Sequence, residues 1–210
     1  MQTGPATGGD ETGVMQDSHA GTVCWDRTPD QVVGVFRPRS VHWLRRQLDG
    51  FRRLLEWRHE GYTADETSVA LGLSLPEKLT DYPPLAALLE KFLPLEDPEP
   101  LRLWWEPDVV SFLYLVTEVT LESLPDNGGV VTLDEREVDA WTAALPSMRI
   151  VYAIASGVWQ PPEDTSERGY AQMPPVDPEK HEWHAQMVEW LAHVVDGLTD
   201  IAQPEPAEHH

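Results

Sequence analysis

Apolar residues recur at intervals of three and four along most of the chain, and at shorter intervals only in a few brief runs. Val41, Leu44, Leu48, Phe51 and Leu55 fall within about 80° of arc when wound as a helix, so they form one stripe. The spacing predicts a long helix from Ser40, a good N-cap, to about Glu60, closed by Gly61. Trp43, Arg46, Arg53 and Trp57 fall on the side opposite the stripe. Thr63 with Glu66 reads as a capping box for a short helix near Asp65 to Leu71. After a connector from Leu75 to Asp81, Pro84 to Phe92 reads as a short helix with proline at its start. Pro94, Pro98 and Pro100 break regular structure, and Trp104 and Trp105 lie in a segment without a clear period.

Pro107 opens a second long helix, to about Leu124. It is apolar on more than one face from Val109 to Val119, the mark of a central, buried helix. Asp134 and Glu137 form a capping arrangement for a third. Its stripe is Val138, Trp141, Leu145, Met148, Val151, Tyr152 and Ala155, with Pro146 expected to kink or interrupt it and Gly157 to end it. Gln160 to Val176 holds four prolines and reads as a surface loop. Asp177-Pro178 starts a final helix to about Ile201, with Trp183, Met187, Trp190, Leu191, Val194 and Leu198 on one face. Val23-Cys24-Trp25 and Val32 to Phe36 flank turn chemistry at Asp26 to Asp30, so they read as a hairpin. Val130 to Leu133, after the turn Asp126-Asn127-Gly128-Gly129, extends it to three strands.

These elements predict a mainly α protein. One helical domain, residues 22–202, holds five or six helices around Val109 to Leu124, with a small antiparallel β element on one side. Residues 1–21 read as a disordered acidic tail and 203–210 as a second acidic tail. His209 and His210 are equally consistent with native sequence and with the remnant of a tag.

Charge changes the picture. The chain of 210 residues carries 15 basic and 36 acidic side chains, a net −21. Between Arg37 and Arg58 seven arginines face only Asp49 and Glu56, a local +5 that leaves −26 for the rest. The long-range field repels nucleic acid, so only the arginine-rich helix 40–60 could attract it. The plainer expectation is that these arginines pair with acids of the same molecule. No apolar run is long enough to cross a membrane, and no secretory signal precedes the domain, so a cytoplasmic protein with no membrane contact is expected.

Specific chemistry is sparse. His181 and His184 share a helix face and could bind a metal given further ligands, with His193 beyond them. Surface histidines are the simpler expectation. Glu56-Trp57-Arg58-His59 is one Glu-x-x-His, but no second copy exists to build a di-iron bundle. The phosphate-loop, dinucleotide and nucleophile-elbow motifs are absent. Cys24, the one cysteine, is a redox candidate, but beside Trp25 in a strand a packed, inert side chain is expected. No catalytic residue and no cofactor is expected.

From Gly34 to about Ile201 the chain resembles the domain-of-unknown-function family numbered two thousand and seventeen. Three segments carry the similarity: Val35-Phe36-Arg37-Pro38-Arg39-Ser40 leading into Leu44-Arg45-Arg46-Gln47-Leu48, Gly129 to Trp141 continued through Ala144 to Arg149 and Ala155 to Val158, and Trp183 to Leu198. The middle departs: Leu101 to Trp105 and the apolar Val109 to Val119 stand where the family is polar. The resemblance implies a mostly helical intracellular protein of actinobacterial type, often encoded beside the ClpS adaptor, with a regulatory or adaptor role. A family member that senses redox state with paired cysteines has no counterpart here, since only Cys24 is present.

The expected function is therefore a non-enzymatic regulator acting through a protein partner, in transcription control or stress response. Trp43, Arg46, Arg53 and Trp57 are its expected contact face, with Trp and Arg as favoured interface anchors. Alternatives are a DNA-binding regulator using helix 40–60, and a metal-dependent enzyme or accessory protein of a biosynthetic pathway with metal at His181 and His184. Homodimerisation stays open, because nine tryptophans exceed what a core of this size needs.

Overall fold

The computed structural model describes residues 23–63, 74–93, 96–159 and 178–202. The two tails, the short helix expected at Asp65 to Leu71 and the loop Gln160 to Val176 lie outside the described residues. In chain order the elements are β1 (Trp25–Arg27), β2 (Val32–Phe36), α1 (Pro38–Glu60), α2 (Pro83–Leu89), α3 (Glu99–Ser123), β3 (Gly129–Leu133), α4 (Glu135–Ala155) and α5 (Pro178–Ala202). The protein is mainly α, as the periodicity predicts.

The three strands form one antiparallel sheet in the order β1-β2-β3. Trp25 pairs with Gly34, and Val32 with Leu133. Strand alternation turns Val32, Gly34 and Phe36 inward and leaves Val35 outside. Gly34 is required here: a Cβ would come within 2.5 Å of the Trp25 ring. Gly128 has φ of 81°, and a Cβ there would come within 2.6 Å of the Pro38 nitrogen, so the turn into β3 packs closely on the entry to α1.

α1 buries Val41, Leu44, Leu48, Phe51 and Leu55, the whole expected stripe and nothing else. Its start differs. Pro38 occupies the first turn and Arg37 the N-cap without a side-chain cap, so Ser40 is inside the helix. Proline's fixed φ pre-forms the first turn and its missing N–H is not needed there. The same chemistry corrects α3. It begins at Glu99 with Pro98 as N-cap and Pro100 in its first turn, and Pro107 lies inside it. Trp104 and Trp105 are therefore helical. Pro146 likewise does not interrupt α4. The capping box of Asp134 with Glu137 is present.

α4 is the hub, packed against α1, α2, α3, α5 and β3, with Trp141 fully buried. α3 is not the central helix expected. Val110, Leu113, Thr117 and Leu121 turn inward, but Leu101, Trp104, Trp105, Phe112 and Leu115 lie exposed. Part of its apolar surplus, Val116 with Val119, packs on Ala140 and Ala144 of α4, and the rest serves an outer face.

An aromatic cluster ties the sheet to the helices. Trp25 meets Phe36 and Trp141 edge-on and donates from Nε1 to the Val194 carbonyl at 3.0 Å, tying the sheet to α5. Trp141 Nε1 donates to Ser123 Oγ at 2.7 Å. Arg27 donates to the Ile201 and Ala202 carbonyls at the α5 C-terminus, where the helix dipole favours a cation. No helix among the described residues is long and apolar enough to cross a membrane.

Candidate functional site

The arginines of α1 divide into two sets. The helix runs antiparallel to α3, so its flank meets α3 one turn at a time. Arg45 donates to the Leu124 carbonyl at 2.8 Å and lies 3.8 Å from Asp126, closing the α3 C-terminus. Arg52 bridges Glu118 at 3.1 Å and Asp49 at 3.6 Å. Arg58 donates from Nε to Glu106 Oε1 and from Nη2 to the Lys78 carbonyl at 2.7 Å. These three are consumed by the fold, as the plainer expectation has it.

Arg37, Arg39, Arg46 and Arg53 are exposed and make no ion pair among the described residues. Arg46 and Arg53 are seven positions apart, so they stand two turns apart on one face. Trp57, one turn further, is 54% exposed and touches only the edge of Tyr82, at 6.4 Å between centroids, among the ring contacts of the described residues.

Trp43 leaves this group. Its ring sits edge-on to Tyr152 at 5.3 Å, Trp190 at 5.7 Å and Trp183 at 6.4 Å. It joins α1 to α4 and α5, and its buried Nε1 has no acceptor among the described residues. The outward face is thus Arg46, Arg53 and Trp57, without Trp43.

His184 is drawn into the same cluster. Its Nδ1 lies 2.6 Å from Tyr152 Oη and its ring packs on Trp183. Burial holds its pKa below the ordinary histidine value, helped by the nearby charges of Lys180 and His181. Burial also pushes the Tyr152 phenol up, so the pair is neutral at physiological pH. His181 is exposed, and His193 Nδ1 lies 2.8 Å from its own helix's Glu189 carbonyl. Among the described residues no three His, Cys, Asp or Glu side chains converge as a metal site. Of the Glu-x-x-His, Glu56 accepts from Tyr114 and His59 meets the Tyr62 ring edge-on, so each has a separate structural contact. Cys24 is exposed and not packed as expected, because alternation turns Trp25 inward and Cys24 out.

One feature goes beyond the sequence expectations. A cavity of about 380 Å³ opens between α2 and the start of α3, with Leu89, Leu93, Glu99, Arg102 and Glu106 in its lining. Glu106 is fully buried beneath it, bound by Arg58 and by Tyr62 Oη at 3.3 Å. Burial and the Glu106 charge push the Tyr62 phenol up. The signal was the four-residue spacing of Arg102 and Glu106, readable only once α3 is known to start at Glu99.

A family model described as "Domain of unknown function (DUF2017)" matches residues 20–202. The chain is similar to the oxidative stress regulator AosR of Mycobacterium bovis and to that of Mycobacterium tuberculosis. Each is 32% identical over 54 residues, covering 26% of this chain and 25% of the relative. The match thus spans about a quarter of the length of these curated relatives. No solved structure matches.

Proposed function

The chain belongs to the DUF2017 family, and from that premise we propose that it is a non-enzymatic regulatory or adaptor protein that works by binding another protein, in transcription control or a stress response. The observation that carries this is the outward face of α1. Arg46 and Arg53 are exposed and make no ion pair among the described residues, on a chain whose net charge is −21. A cation left unanswered amid so much acid is available to a carboxylate from outside. Guanidinium groups bind carboxylates in a planar, two-point geometry, and the exposed Trp57 beside them supplies an apolar anchor. The partial likeness to an oxidative stress regulator supports the regulatory role.

Replacing both Arg46 and Arg53 with glutamate should abolish partner binding and leave the melting temperature unchanged, since neither side chain holds the fold. Unchanged binding would contradict the reading. Four exposed arginines near one helix also favour a second reading, a DNA-binding regulator. It requires duplex binding that weakens steeply with salt, by roughly 0.9 in the log-log slope per phosphate contacted. Absence of duplex binding at low salt removes it.

A further inference from the structure

The outward face of α3 is apolar and bears only negative charge, and the α1 reading makes no use of it. Leu101, Trp104, Trp105, Phe112 and Leu115 are between 42% and 57% exposed. Wound as a helix they fall within about 100° of arc, so they form one continuous stripe. From Leu101 to Leu115 the stripe runs roughly 21 Å, close to four turns. A contiguous exposed apolar strip with two tryptophans marks a contact surface.

Its geometry and charge say what fits. Leu101, Trp105, Asp108, Phe112 and Leu115 alternate spacings of four and three, the seam of a left-handed helix pair. The one polar seam position is Asp108. Of the other exposed charged residues of α3, Glu122 lies beyond the C-terminal end of the stripe and Glu99 lines the cavity on the α2 side, and the helix's sole base, Arg102, is buried. A second copy seated here would set acids against acids on two chains of −21 each. A helix with an apolar seam, basic flanks and a base opposite Asp108 covers the stripe and neutralises its charge together. We infer that α3 docks a basic amphipathic helix of a partner protein along this seam.

Two synthetic helical peptides test this on the full chain. Both carry a leucine seam of the same spacing; one has lysine at mid-seam and on its flanks, the other glutamate. Titration calorimetry should show one-to-one binding of the lysine peptide and at least about tenfold weaker binding of the glutamate peptide. Phe112→Ser with Leu115→Ser changes no charge and touches only the exposed face, so the variant should fold, as circular dichroism checks. It should bind the lysine peptide at least about tenfold more weakly. Equal affinity for the variant and the unaltered chain overturns the proposal, because charge alone then holds the peptide. Failure of the lysine peptide to bind also overturns it. So does sedimentation showing an unaltered chain that is dimeric and a variant that is monomeric, because the occupant is then a second copy.

Discussion

Arg58 and Glu106 are the ion pair with the most at stake. The Arg58 side chain is 11% exposed and that of Glu106 is fully buried. Removing Arg58 leaves a buried carboxylate with only the Tyr62 hydroxyl to answer it. Arg58→Ala should therefore cost about 3–5 kcal/mol in urea unfolding. Arg58→Met with Glu106→Leu should recover most of that, because the desolvation cost disappears with both charges. His184 gives a pH-dependent counterpart. Its folded pKa is lowered from 6.5, first by burial. Below that unfolded value the unfolded chain binds the extra proton more readily, so this contribution to stability is full above about pH 6.5 and lost as pH falls. His184→Asn keeps an acceptor for the Tyr152 hydroxyl without titrating. Unfolding free energies from pH 8 to pH 5 should fall less steeply for this variant than for the unaltered chain.

At the level of elements, a clear polar face made the sequence legible. The α1 stripe is wholly buried as its spacing predicts, because charged residues fill the rest of that helix. α5 likewise buries Met187, Trp190, Leu191, Val194 and Leu198. The α4 start was readable because Asp134 and Glu137 are a local signal that needs no partner elsewhere. Asp134→Ala should cost about 1 kcal/mol in thermal or urea unfolding, the loss of an N-cap. α3 departs from the sequence expectation for two physical reasons. Proline in a first turn and proline in a helix interior are the same letter, so Pro100 and Pro107 exchanged roles. A helix apolar all round reads as buried, and nothing in Trp104, Trp105, Phe112 or Leu115 distinguishes a face for the core from a face for a partner. The candidate site was half legible. Periodicity placed Arg46, Arg53 and Trp57 opposite the core stripe. It puts Trp43 on that same side and does not show that the ring is covered, because its partners Tyr152, Trp183 and Trp190 are brought to it only by α4 and α5.

Across the whole molecule, charge and apolar surface are segregated. α1 turns exposed arginines outward, and α3 beside it turns outward an apolar strip whose one charged position is Asp108. Such a molecule suits contacts with other proteins better than a field-driven approach to nucleic acid, because a net −21 opposes the latter at long range. Titrating a labelled duplex at low salt should therefore show no binding. The most direct test of the central claim is a pull-down from native cell extract with the untagged tails intact, read by mass spectrometry. The unaltered chain and the Arg46→Glu, Arg53→Glu variant would be compared side by side. A protein enriched by the unaltered chain and lost from the variant is the predicted result. The same proteins retained by both, at equal yield, would contradict a role for the α1 face.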